Sequence, residues 1–523
     1  MQTPGPLLAM RNPSPFGNLD PFGNNAWTRE VTLDDSARDF SRLSDSNASL
    51  SPSQWLPDFR TDRPGLDYEN ENKPYIEIRR HVWPDDTDVE LFMQNPQDID
   101  DQSLSLEVKR VVDFCNGKTL PCIGPDEPGD GQDPLVAWLD ERAFEEGVLS
   151  SRTYRGPLTS HGLTRELCKS RYHNGKGRTT RPRHHSRVRY VGSTNAPGSV
   201  LGQVSEPDAD RRLIFVTDLN SSCIQALINT ASTHQASALR NSVAKHLAFE
   251  PFVGVKIQAD GLAMFELSFH LPGFLCRPAQ TTDHRRFENG EPLRRRNDIS
   301  FLDWDAGRPA EFLYESQISC VIAGLHEHNW AAYCFVDTYF DGSNERRETV
   351  FEYHKGKISE DGMNADPLTY GNCDADDPLW DPRKYFLAVY LNRTAPTHRF
   401  GLSQSSPRPE SSSQEAERRL KGLRVSFDWV LQVMHLLAQL RELLAKTVDV
   451  FDNFCSTHSV IFDYLPLDYQ KLQSRVENFR SFKKRIDYLS ARCAEHSRKV
   501  SYFRCSSLPI YDSSLTRPSD LLA

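Results

Sequence analysis

At 523 residues the chain is too long for one ordinary domain, and a prior of roughly 100–200 residues per domain allows two to four. Hydrophobic residues make up 38% and charged residues 26%, while 33 Pro and 28 Gly are an average share, so collagen-like and wholly disordered classes are excluded. The net charge of −10 argues against a nucleic-acid binder.

That charge is unevenly placed. Residues 1–150 hold 13 basic and 29 acidic side chains, whereas residues 151–200 hold 11 basic ones against a single acid, Glu166. The rest is nearly neutral. Eleven cysteines without any C-x-x-C fit a reducing compartment better than a disulfide framework or a zinc site. Prolines interrupt the first residues where a signal peptide needs an apolar run, so the sequons at Asn47, Asn220 and Asn392 carry no meaning. The longest uncharged stretch, Leu219 to Leu239, is full of Asn, Ser, Thr and Gln and does not read as a membrane span. A cytoplasmic chain with no transmembrane segment is expected.

In chain order, residues 1–73 are rich in Pro, Ser, Asn and Asp and read as a disordered leader. Residues 74–150 form an acidic region. Its alternating Tyr75–Trp83 predicts a short strand, Leu104–Cys115 a helix and Pro134–Glu146 a second helix. Residues 151–205 read as a basic insertion, centred on Lys169–Arg189 with eight Lys/Arg and three His. An α/β (α+β) domain is expected over 206–390. Leu213–Thr217 predicts a buried strand, Asp218 a helix cap, and Gln235–Leu247 a second helix after one through Ile224 and Leu227. Strand-like runs follow at Phe252–Gln258, Met264–Leu271, Gln317–Leu325 and Ala331–Phe340.

Residues 391–420 form a Ser-rich linker with six serines and Pro407-Arg408-Pro409. The strongest periodicity lies in 421–505. Val430, Val433, Leu437, Leu440, Leu444, Thr447, Phe451 and Phe454 follow 3-4 spacing. A second seam runs through Leu472, Val476, Phe479, Phe482, Ile486, Leu489, Cys493, His496, Val500 and Phe503. These predict two long helices with one apolar seam each, paired as a hairpin or joined in a bundle. A tail over 506–523 closes the chain.

Catalytic and metal chemistry finds little support. His326 and His328 lack the further ligands that zinc needs and read as a polar strand end. Asp374, Asp376 and Asp377, with Asp361 and Asp366 upstream, suit Mg²⁺ in donor type, but they read as solvated loop acids. Asn174-Gly-Lys-Gly lacks the upstream glycine of a phosphate loop, and no G-x-S-x-G elbow occurs. The block Lys169–Arg189, with Tyr172 and Tyr190, could bind phosphate groups, but a solvated insertion is the preferred reading, so nucleic acid and anionic membrane are not expected partners. No enzyme active site is expected, no catalytic or cofactor residue is assigned, and Mg²⁺ is the one candidate cofactor, its ligands unassigned.

From Phe215-Val-Thr-Asp-Leu-Asn onward the sequence resembles the fungal CorA-like magnesium-transporter-type proteins. The matching phrases include Phe265-Glu-Leu-Ser-Phe-His-Leu-Pro, Tyr314-Glu-Ser-Gln-Ile-Ser-Cys, Trp330-Ala-Ala-Tyr-Cys-Phe-Val-Asp-Thr-Tyr-Phe and Trp380-Asp-Pro-Arg-Lys-Tyr-Phe-Leu. They cover about 210–390, with a looser match over 430–500. The resemblance implies an α/β cytoplasmic domain followed by long funnel helices, with pentameric assembly and two membrane helices, the first ending in Gly-Met-Asn. Gly362-Met363-Asn364 stands upstream on a polar loop and is read as coincidence. The expected function is a CorA-like protein without the pore, responsive to divalent cations or acting as an assembly partner. It would pair with itself or with full-length relatives through the C-terminal helices. The alternative is an accessory interaction protein, for example of a fungal secondary-metabolite gene cluster.

Overall fold

A computed structural model describes residues 71–81, 87–94, 102–117, 134–145, 148–152, 157–172, 207–258, 264–278, 281–302, 311–341, 365–375, 377–394 and 415–506, with Trp55, Leu56, Phe59 and Val350 besides. Its centre is a mixed sheet of eight strands. These are β1 (Ala137–Glu145), β2 (Val148–Ser151), β3 (Arg211–Thr217), β4 (Phe252–Gln258), β5 (Met264–Arg277), β6 (Arg296–Asp298), β7 (Phe312–His326) and β8 (Asn329–Val336). The order across the sheet is β2-β1-β3-β8-β7-β5-β4, with β6 paired to β7. β3 and β8 run parallel, and the other pairings are antiparallel.

Both faces of the sheet are covered, which explains why β3 and β8 are buried along their whole length. Alternate side chains serve two separate cores. Ile214, Val216, Val321, Tyr333 and Phe335 pack against helices α5 (Ser221–Ile228) and α6 (Thr233–Ala248). Leu213, Phe215, Cys320, Trp330 and Cys334 face the other way, toward α7 (Pro382–Arg393) and the hairpin of α8 (Glu415–His458) and α9 (Pro466–Ser506). The earlier helices α1 (Tyr75–Arg80), α2 (Asp88–Met93), α3 (Gln102–Cys115) and α4 (Ser160–Leu167) extend the first layer. The α/β domain and the two long helices expected from the sequence are therefore present.

Several boundaries change, each for a physical reason. Tyr75–Arg80 is helical and not a strand: Ile76 and Arg79, three apart, are buried while Ile78 is exposed. The helix expected at Pro134–Glu146 is strand β1, pinned between β2 and β3, with its charged middle paired to buried arginines. Asp218 does not cap α5. It sits in left-handed backbone (φ 49°), and Asn220 caps the helix by accepting from the Cys223 amide.

The expected leader contributes Trp55 and Phe59 to the hairpin-side core, while residues 1–54 lie outside the described part. The expected basic insertion holds helix α4, and Arg171 and Tyr172 are buried: Arg171 donates to the carbonyls of Ala209, Asp210 and Trp330. The remainder of that block, 173–206, lies outside the described residues, as do the linker residues 395–414 and the tail 507–523. Residues 391–393 finish α7, and 415–420 open α8.

The β7–β8 turn forces one close approach. A Cβ on Gly324 would lie 2.5 Å from the Asn329 carbonyl oxygen and 2.6 Å from Trp330 Cβ, next to the register shift that ends the ladder. Gly324→Ala is expected to lower stability by about 1–3 kcal/mol, read as an earlier urea midpoint with unchanged slope.

Candidate functional site

The parallel pair β3–β8 directs attention to its carboxyl end, the usual place for a site in α/β sheets. Asp218 follows β3 and Asp337 follows β8, and both are buried. Asp218 accepts hydrogen bonds from the Thr338 amide (2.7 Å) and hydroxyl (2.8 Å), which locks the two strand exits together. Its left-handed backbone is thus held by its own side chain.

Around these acids lie two fully buried guanidiniums. Arg285 pairs with Asp283 (2.8 Å) and with Asp337 Oδ1 (2.9 Å), and Arg294 donates to Asp337 Oδ2 (2.6 Å). Burial would push the Asp337 carboxyl up, but Arg294 and Arg285 hold it well below the usual carboxylate range. Burial raises the Asp218 carboxyl against the opposing pull of Arg285. Three carboxylates thus face two guanidiniums, and burial favours the neutral form at Asp218. That brings the charges toward balance.

A polar chain continues from Asp337 into the sheet. His246 of α6 places Nε2 at 3.5 Å from Asp337 Oδ1, an ion-pair distance without an aligned hydrogen bond. His246 Nδ1 is 2.9 Å from Ser319 Oγ on β7, and Ser319 Oγ is 2.8 Å from His270 Nδ1 on β5. Ser319 Oγ therefore bridges the two imidazoles, its hydroxyl able to donate to one ring and accept from the other.

The array Ser319–His246–Asp337 resembles a nucleophilic triad in composition, but its chemistry differs. Ser319 is 0% exposed, so no substrate can reach it. Asp337 is already committed to two arginines, and burial pushes the His246 imidazole down to about 4, which makes it a poor base. The arrangement neutralises and rigidifies the centre of the fold, with no open position for a ligand. Sequence reasoning did not find it, because its members lie 49 and 73 residues apart along the chain. The only local trace is a histidine within each of two apolar runs.

The residues singled out in the sequence are dispersed. His326 ends β7 buried, and its Nδ1 accepts from the His328 amide, a turn contact rather than a metal pair. Asp366 is not a solvated loop acid: it is buried, caps a short 3₁₀ turn, and accepts from the Tyr385 hydroxyl at 2.6 Å. Asp374 and Asp377 lie in the adjoining loop, while Asp361, Asp376, the 362–364 tripeptide and the loop at 174–177 fall outside the described residues. Among the described residues, no group of three or more His, Cys, Asp or Glu could hold a metal ion. A cleft of about 610 Å³ lies between β6 and α8 and is lined by residues such as Asn297, Phe301, His435 and Gln439. It contains none of these constellations.

The C-terminal hairpin is the remaining candidate. Phe451, Phe454, Ile461, Phe462, Leu472 and Val476 are buried against α7 and the sheet, with Phe386 near Phe454 and Phe462, and Tyr390 near Phe451. At the hairpin's turn, Arg383 is sandwiched between the rings of Trp55 (4.5 Å) and Tyr464 (4.0 Å) and paired with Asp381 and Glu327. Farther along α9 the expected seam separates from this core. Ile486 and Cys493 are half-buried, whereas Phe482 is 52% and Leu489 48% exposed. No helix among the described residues is long and apolar enough to cross a membrane.

No protein-family model matches the chain, and no curated protein does. Among solved structures, the cytoplasmic domain of ZntB from Vibrio parahaemolyticus RIMD 2210633 is similar at 9% identity and a TM-score of 0.25, over 57% of this chain and 91% of that one. A likeness at that level carries no argument about fold or role.

The buried histidines tie stability to pH. His246 has its folded value pushed from 6.5 to about 4, so the unfolded chain takes up a proton that the folded chain refuses. This contribution is complete above pH 6.5 and is lost as pH falls toward 4, about 3 kcal/mol for His246, with His270 adding in the same direction. Urea titrations across pH 7 to 4 are expected to show that slope, and His246→Gln to flatten it. Asp337→Asn, which strips Arg285 and Arg294 of their shared carboxylate, is expected to cost about 3–5 kcal/mol at pH 7.

Proposed function

We propose that this chain is a CorA-like assembly protein whose α/β body serves as a rigid mount and whose C-terminal hairpin docks a helix of a partner, a full-length CorA-like relative. The reading rests on one observation: the α9 seam leaves the core at Phe479 and continues as exposed Phe482 and Leu489 at seven-residue spacing. Large apolar side chains repeated at that spacing on a helix are what a partner helix covers. The sequence resemblance over 210–390 supplies the class of partner. The closed, arginine-saturated centre supports a role without catalysis.

In this reading the chain acts inside the cell and carries no pore of its own. On the same reading, any response to Mg²⁺ belongs to the complex. Co-expression with a full-length CorA-like relative, followed by size-exclusion chromatography with light scattering, tests the proposal with and without Mg²⁺. A stable complex is expected. The double variant Phe482→Glu/Leu489→Glu is expected to weaken it at least about a hundredfold while leaving the melting temperature unchanged, because both side chains are exposed. Absence of any complex, or one indifferent to the double variant, would sink the reading.

A further inference from the structure

The exposed stripe also carries information about its partner's charge, and this step rests on the assembly reading above. Over residues 480–499, α9 has seven Lys/Arg and two acids. The seam residues assign a heptad register: Phe482, Leu489 and His496 take position d, and Ile486 and Cys493 take position a. The g row, beside d on its exposed flank, is then Arg485, Arg492 and Lys499, all three exposed. The e row is Lys483, Ser490 and Ser497 and contains no acid.

Geometry distinguishes the occupants. In a parallel pairing of two copies, g faces the partner's e of the next heptad, which sets Arg485 and Arg492 against Ser490 and Ser497. In an antiparallel pairing, g faces g, and three cations meet three cations. Neither arrangement supplies an opposite charge, so a second copy is disfavoured. A bilayer surface is attracted by the same cations, but a helix lying in an interface needs a broad apolar face. Here the exposed apolar side chains are Phe482 and Leu489 of one row with Tyr488 beside Leu489, while Ile486 and Cys493 are half-buried, so the face is narrow. Of the three cations, Lys499 has a local carboxylate partner, an exposed pair of small weight. Lys499 meets Glu495 at 2.7 Å on the exposed surface, and Arg492 reaches the Tyr488 hydroxyl at 3.3 Å.

We infer that the α9 face spanning Phe482 to Lys499 docks an acidic amphipathic helix of another protein, with apolar residues against Phe482 and Leu489 and carboxylates against Arg485, Arg492 and Lys499. The hydrophobic row supplies affinity, and the cationic row selects the partner and suppresses self-association.

Fluorescence anisotropy with the full chain tests this directly. The probes are two synthetic heptad helices with Leu at a and d, one with Glu at e and g and the other with Lys there. The Glu helix is expected to bind, more weakly at higher salt, and the Lys helix not to bind. The triple variant Arg485→Glu/Arg492→Glu/Lys499→Glu is expected to lose about tenfold toward the Glu helix and to gain toward the Lys helix. Circular dichroism melting checks that the fold is retained. Equal affinity for both helices overturns the inference. So does self-association in light scattering, or binding to phosphatidylserine–phosphatidylcholine vesicles, if Phe482→Glu abolishes it. If Leu489→Glu removes binding of the Glu helix but the charge reversal does not, the acidic partner is wrong and the docking hairpin stands. If neither substitution matters, both fail.

Discussion

The buried pairing of Asp337 with Arg285 and Arg294 is the constraint on which the centre of this fold depends. Asp337 ends β8 beside the exit of β3, while Arg285 and Arg294 arrive from the segment between β5 and β6. An uncompensated charge at that depth would cost several kcal/mol, so the segment 283–294 must be in place before the carboxylate can be buried. The same residue anchors α6, since Arg294 also donates to the His246 carbonyl (2.7 Å) and His246 leads through Ser319 to β5. One carboxylate thereby coordinates a helix, three strands and a loop. The charges that might have suggested catalysis are consumed in holding the sheet together.

A second polar junction fixes the hairpin to that body. Arg383 gathers Trp55 from the start of the chain, Glu327 from the β7–β8 turn, Asp381 at the head of α7 and Tyr464 between α8 and α9. Four segments far apart in sequence meet at one guanidinium, which suits Arg better than Lys, since a planar cation can stack on two rings and pair at its edge. Beyond this junction α8 stays on the body, with Val430 buried and Trp429 donating to the Phe301 carbonyl, while along the far part of α9 the apolar residues are no longer all covered.

Much of this organisation was legible in the sequence because it is periodic. β3 and β4 appear as short branched or aromatic runs, α8 as an unbroken 3-4 seam and α9 as one with a single 3-3 step. The errors fall where tertiary partners override local pattern. Ala137–Glu145 looks helical by composition, but its charged residues are tolerated in a buried strand because Arg211 and Arg212 neutralise Asp140 and Glu141 from β3, and Arg142 pairs with Asp140. Trp55 and Phe59 sit in a polar, proline-rich stretch, and only the docking pocket under β5 and α7 explains their burial. The Ser319–His246–Asp337 chain leaves only a buried histidine in an apolar run as its trace in sequence, since each residue is isolated within its own element. The docking stripe was half legible: the seam is in the sequence, but which part remains uncovered is a property of the packing.

The central claim is that this protein's working surface is α9 and that the charged centre is structural. Hydrogen–deuterium exchange on the full chain, with and without the acidic synthetic helix, locates the contact most directly. The account expects new protection confined to α9 around residues 480–499, with β3, β8 and the 283–294 segment unchanged. Protection gained at Asp218, Asp337 and their arginines, with α9 unaltered, would contradict it.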